Sequence, residues 1–158
     1  MESKKKYIDY HTALQKMQAF CAYQERCHSE VKTKLIALGI YGDAIDEIII
    51  ELIQDNFLNE ERFAKAFAHG KSNIKNWGKI RIKQELKLRK ISEYCIRKAL
   101  EEISDEDYRA RLKGLIIKKN KLLTETNDFQ RNQKIFHYAL QKGYESELIS
   151  ATLQEIFK

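Results

Sequence analysis

The sequence predicts an all-α protein built from three tandem three-helix repeats. Three observations carry that expectation. The 158 residues include 0 Pro and only 6 Gly, too few breakers for the strand-and-turn alternation of sandwiches and barrels. One apolar pattern returns three times at intervals of 51 and 53 residues, measured from Gly39 to Lys90 to Gly143. Each return is framed by residues that start and stop helices. With 43% apolar and 33% charged residues, the chain should fold around thin cores behind a large solvated surface.

Residues 1–11 read as a flexible basic arm. Its Lys4-Lys5-Lys6 leads into Tyr7-Ile8-Asp9-Tyr10-His11 rather than an apolar segment, so it is not a secretory signal. Repeat 1, residues 12–54, opens with a helix from Thr12 to about Tyr23 that lines up Ala13, Met17, Phe20 and Cys21. A helix pair over Val31 to Leu52 follows, broken at Gly39. Repeat 2, residues 55–104, repeats the plan with Phe63, Ala64, Phe67 and Ala68 on a helix from Glu60 to about Asn73. Its pair spans Ile82 to Ile103 and breaks at Lys90. Repeat 3, residues 105–158, has Tyr108, Leu112, Leu115 and Ile116 on a helix from Asp105 to about Lys121, then a pair over Lys134 to Ile156 broken at Gly143.

The last helix of each repeat carries the same stripe. Ile45, Ile48, Ile49 and Leu52 correspond to Ile96, Ala99, Leu100 and Ile103, and to Ile149, Thr152, Leu153 and Ile156. Offsets of 0, 3, 4 and 7 are those of an amphipathic helix, and only Thr152 departs from the apolar pattern. Gly39 and Gly143 stand where a helix ends in the left-handed conformation, each followed by a hydrophobe that closes the cap. Lys90 takes that place in the middle repeat, at a cost of about 1 kcal/mol if it adopts the same conformation. Asn59, Ser92, Ser104 and Ser146 precede acidic first turns and are expected as N-caps.

Catalytic and metal-binding patterns fail on inspection. Gly70-Lys71-Ser72 resembles the end of a phosphate-binding loop, but position 65 is Lys and the segment continues a helical stripe. His11, His28, His69 and His137 lack a second ligand at helical spacing, and the adjacent Cys27 and His28 point to different faces. Glu60-Glu61 and Glu101-Glu102 read as first-turn and solvent-face charges. Cys21, Cys27 and Cys95 are an odd number without a C-x-x-C pair, which suits buried thiols in a reducing compartment. No run of about 18 apolar residues is present. The expectation is a cytoplasmic, non-enzymatic protein without cofactor, metal or membrane contact, monomeric by default.

Charge is the informative feature. Ten basic residues, Lys71, Lys75, Lys79, Arg81, Lys83, Lys87, Arg89, Lys90, Arg97 and Lys98, face only Glu85 and Glu93 over 28 positions. That net +8 leaves −2 for the rest of a chain whose total is +6. On a helix starting near Lys79, positions 79, 83, 87 and 90 are expected to form a stripe opposite Ile82 and Leu86. Such a stripe suits DNA or RNA phosphates, or an acidic protein groove. The candidate binding residues are Lys71, Lys75, Lys79, Arg81, Lys83, Lys87, Arg89 and Lys90. Trp77, the single tryptophan, reads as helix packing or as an interface anchor.

Asn56-Phe57-Leu58-Asn59-Glu60-Glu61-Arg62-Phe63-Ala64, Trp77-Gly78-Lys79-Ile80-Arg81-Ile82-Lys83-Gln84-Glu85-Leu86, and Lys90-Ile91 before the Ile96 to Leu100 stripe together resemble the core of the RecX family. The resemblance extends back through Ser29-Glu30-Val31 and Leu38-Gly39-Ile40 and covers nearly everything after Thr12. Two residues depart from the pattern: Lys79 stands where the family often has Pro, and Lys90 where it usually has Gly. The resemblance implies an elongated, curved chain of three helical units and a partner, the filament of the recombinase RecA on single-stranded DNA. It also implies lodging in the filament groove and modulation, chiefly inhibition, of strand exchange, ATP turnover and co-protease activity. DNA itself is the further partner, single-stranded first and double-stranded second. Two other readings stand beside this one: a free-standing helix-turn-helix-like nucleic-acid-binding protein, and a structural adaptor using the apolar grooves between units.

Overall fold

The computed structural model describes residues 8–157, and these form nine α-helices and no strand. They are α1 (Tyr10–Tyr23), α2 (His28–Ala37), α3 (Asp43–Gln54), α4 (Glu60–Asn73), α5 (Lys79–Leu88), α6 (Glu93–Glu101), α7 (Asp105–Leu122), α8 (Asp128–Lys142) and α9 (Ser146–Ile156). Each helix packs on the other two of its own unit, and no pair from different units packs as extensively. Three hydrophobic clusters result, one per unit, the serial burial expected of a helical repeat.

The apolar stripes become those cores. Ile45, Ile48 and Leu52 are buried in the first, Ile96 and Ala99 in the second, Ile149 in the third. Thr152 is also buried, and its hydroxyl donates to the Leu148 carbonyl at 2.7 Å, which satisfies the one polar group on the pattern. The middle turn of every unit closes in the same way. The amides of Ile40, Ile91 and Tyr144 reach back five residues to the carbonyls of Leu35, Leu86 and Ala139, at 3.0, 3.1 and 3.2 Å. The residue before each is left-handed: Gly39 at φ 87°, Lys90 at φ 60° and Gly143 at φ 101°. Lys90 therefore adopts a glycine conformation with a side chain attached.

Asn59, Ser92 and Ser104 cap their helices by accepting from the amides of Arg62, Cys95 and Asp107. Ser146 does not; it is the first residue of α9, and the cap position belongs to Glu145. Residues 1–7 lie outside the described residues, while Tyr10 and His11 already belong to α1 because the Asp9 carboxylate accepts from the Thr12 amide at 2.7 Å. Cys21, Cys27 and Cys95 are buried free thiols, and burial pushes that of Cys21 up to about 11.

Two joints link the units. At the first, Cys27 from before α2 sits in the second core, and Leu58 from before α4 in the first. Arg62 pairs with Glu25 and donates to the carbonyls of Asn56 and Phe57 at 3.1 and 3.3 Å, tying the linker to both units. At the second joint two backbones touch. The Gly78 amide donates to the Lys142 carbonyl at 2.7 Å and the Ile80 amide to the Gly143 carbonyl at 3.0 Å. The first-turn amides of α5 thus meet the last carbonyls of α8, each end supplying what the other lacks. A Cβ at Gly78 would lie 2.2 Å from the Gly143 carbonyl carbon and oxygen, so only glycine fits there.

Candidate nucleic-acid interface

The middle unit holds the predicted cations, but α5 does not display them as a single stripe opposite its seam. At about 100° per residue, Lys79, Lys83 and Lys87 run down one flank of the Ile82 and Leu86 seam, and Arg81 and Arg89 down the other. The two flanks have different chemistry. Lys79 and Lys83 face Arg97 across a groove of about 420 Å³ whose floor is Ile96 and Leu100 and whose rim also carries Glu93 and Glu101. Lys79 is partly committed: its Nζ lies 3.7 Å from Asp105 and 4.7 Å over the Tyr108 ring. Lys83 and Lys87 are exposed, as are Lys75 and Lys90. Among the described residues these four have no carboxylate within ion-pair distance.

The other flank is built from aromatic rings. Trp77 is half-buried and meets Phe67 edge-on at 6.3 Å. The Arg81 guanidinium lies 4.1 Å from the centre of the Trp77 ring, and Lys71 Nζ 4.8 Å. Lys71 is also 5.5 Å from Phe67, whose ring carries the Arg89 guanidinium at 4.7 Å. Arg89 is further held by Glu85 at 2.9 Å. Ring quadrupoles hold Lys71 and Arg81 without neutralising them, so the charge of these two stays available to an outside anion, whereas Glu85 offsets that of Arg89. Trp77 packs against Phe67, the first of its two expected readings, and positions two cations.

Beneath Lys79 a buried tyrosine fixes the start of α5. The Tyr108 hydroxyl accepts from the Lys79 amide at 3.0 Å and donates to the Glu145 carboxylate at 2.7 Å. Burial first, then the Glu145 carboxylate, holds its ionisation well above the usual tyrosine range. Tyr144 stacks on it at 5.1 Å and is fully buried, which pushes it up to about 12. Arg111 completes the joint by donating to the buried Ser72 hydroxyl at 2.7 Å.

Charge counting alone found Lys71, Arg81 and Arg89 but not the residues that organise them. Phe67 and Tyr108 read as core, and the role of the Tyr108 hydroxyl with Glu145 carried no local signal because its partners lie 29 and 37 residues away. The pair Gly78 and Gly143 is the one trace in the sequence of two backbones touching.

Fold and site define a protein of the tandem three-helix-repeat class, with cations gathered on the middle unit and held by aromatic rings. Comparison with known proteins agrees. The family model described as RecX, second three-helix domain, matches residues 59–100, and that described as RecX, third three-helix domain, matches residues 105–153. The chain belongs to the RecX family. It is 27% identical over 138 residues to regulatory protein RecX of Bacillus cereus strain B4264, covering 87% of this chain and 51% of that protein. Against regulatory protein RecX of Bacillus anthracis strain CDC 684 the identity is 26% with the same coverage. The chain therefore spans about half the length of the curated relatives it matches. The crystal structure of RecX from Lactobacillus salivarius superposes with a TM-score of 0.82 at 25% identity, covering 92% of this chain and 95% of that one. A second crystal structure, of regulatory protein RecX, gives 0.83 at 21% identity over 92% of this chain and 71% of that one, a likeness of fold.

Proposed function

We propose that this chain is a non-enzymatic regulator of the recombinase RecA, which binds the filament RecA forms on single-stranded DNA in the cytoplasm and restrains its activities. Family membership supports the partner. The observation that carries the mode of binding is the ring-held cations Lys71 and Arg81 beside exposed Lys75, Lys83, Lys87 and Lys90. A row of units offers a long surface, and a cationic centre is drawn toward phosphates or acidic walls in a groove. Lodged there, the chain obstructs strand exchange, ATP turnover and co-protease action together, because each needs the groove or the filament intact. The helix-turn-helix alternative is less favoured: α6, the helix after the turn, has Glu93 and Glu101 on the groove rim beside Arg97, and carboxylates there repel phosphates.

Co-sedimentation tests the reading with three targets: RecA filaments on single-stranded DNA, bare DNA and free RecA. Preferential capture by filaments, weakened by Lys83→Glu with Lys87→Glu at unchanged circular dichroism, is expected. Equal recovery with and without filaments overturns it.

A further inference from the structure

We propose that the ring-held cations of the middle unit continue onto the third as one track for single-stranded nucleic acid, with Lys142, Tyr138 and Lys119 leading from Trp77 into the groove along α8. This rests on the reading that the middle unit meets DNA phosphates, and extends it to the third unit, whose α7 carries six basic and no acidic residues from Arg109 to Lys121.

The continuity is visible contact by contact. Arg81, stacked on Trp77, also donates to the Gln141 carbonyl at 3.4 Å, across the joint between the units. Lys142 reaches the other way and donates to the Lys75 carbonyl at 3.3 Å. The same Lys142 Nζ lies 5.8 Å from the centre of the Tyr138 ring, and Lys119 Nζ lies 4.6 Å from it. Rings and cations therefore alternate from Arg89 and Phe67 through Lys71 and Trp77 to Arg81, and again from Lys142 through Tyr138 to Lys119 on the far side of the joint. Lys119, Tyr138 and Gln141 then line a groove of about 1300 Å³ that also holds Phe129, Phe136 and Asn132. Phe129 is 70% exposed.

The chemistry selects the ligand. Among the described residues Lys71, Arg81, Lys119 and Lys142 have no carboxylate within ion-pair distance, so four fixed charges await an anion. An acidic peptide would answer the cations but leave the rings and the amide of Asn132 unused. Single-stranded nucleic acid uses both, phosphates on the cations and unstacked bases on the rings, whereas a duplex keeps its bases stacked inside. The Gly78 and Gly143 contact joins the two halves by backbone hydrogen bonds, so the track is formed before the strand arrives.

Trp77 is the only tryptophan and sits on the track, so its fluorescence reports binding. Thymidine oligomers of about 5 and about 15 nucleotides bracket a part-length and a full-length strand. The expected result is quenching by both, with the longer binding more tightly. Lys119→Glu with Lys142→Glu should weaken the longer oligomer at least tenfold, leave the shorter nearly unchanged, and reduce the salt slope by about 1.4, the value for two single-strand phosphates. Tyr138→Leu should weaken it several-fold with the slope unchanged. If charge reversal lowers the helical circular dichroism signal, Lys119→Gln with Lys142→Gln replaces it and should lose the same two contacts. Full affinity in these variants, with binding lost only in Lys71→Glu and Arg81→Glu, overturns the extension and leaves the middle-unit reading intact. Absence of quenching in the unaltered protein at low salt strikes both. Equal affinity for a duplex of the same length, or for polyglutamate, overturns the choice of a single strand.

Discussion

Replacing Gly78 by Ala tests the joint on which the alignment of the second and third units depends. The new Cβ would sit 2.2 Å from the Gly143 carbonyl carbon and oxygen and 2.3 Å from the Tyr144 nitrogen, all backbone atoms that cannot rotate away. The units must therefore part. Two inter-unit hydrogen bonds, from the Gly78 amide at 2.7 Å and the Ile80 amide at 3.0 Å, are weakened or lost. At about 1 kcal/mol each, with about 1–3 kcal/mol for overpacking, the expected destabilisation is about 3–5 kcal/mol. Gly114→Ala is the internal control: it lies within α7 with nothing near its Cβ position, and should stabilise by about 0.5–1 kcal/mol. Urea denaturation followed at 222 nm gives both values, and hydrogen exchange at Ile80 shows whether the lost protection is local. A Gly78→Ala protein within about 0.5 kcal/mol of the original, with Ile80 still protected, would refute the reasoning.

Further outcomes follow from the same structure. Lys90→Gly removes a side chain from a residue at φ 60° and should raise stability by about 1 kcal/mol, read as a shift in the urea midpoint. Arg62→Ala should cost about 2–3 kcal/mol, because it leaves the carbonyls of Asn56 and Phe57 without their donor and Glu25 without its cation. Alkaline titration at 295 nm should leave Tyr108 and Tyr144 un-ionised after the exposed tyrosines have titrated. Both ionise above the ordinary range when folded, so the stability they confer is complete below about pH 10, the unfolded value, and is lost as pH rises toward about 12 at Tyr144. Thermal melts at pH 8, 10 and 11 check the sign.

Whatever depends on spacing within one helix could be read from the chain. The Ile45, Ile96 and Ile149 stripes gave the three cores, and the Asn59, Ser92 and Ser104 oxygens gave three helix starts, because their partners are within a few residues. The charge run also located the middle unit's cations, but not their grouping. A helix presents two flanks, and which cation meets Phe67 or Trp77 is decided by where α4 packs on α5. The joint was less legible still: the Arg81 to Gln141 and Lys142 to Lys75 contacts span 60 and 67 residues, beyond any periodicity. Ser146 misled because a serine before an acidic residue is a good cap in isolation, whereas α9 already includes Ser146 and has Glu145 at the cap position. Arg62 and Gly78, both within the blocks that resemble RecX, hold units together.

ATP hydrolysis by RecA on single-stranded DNA, with this protein at less than one copy per recombinase monomer, tests the central claim most directly. The account predicts a reduced rate that recovers as salt rises, and recovery without added salt when Lys71 and Arg81 are replaced by Glu in a folded chain. An unchanged rate at every salt concentration, or undiminished inhibition by that double variant, would contradict it.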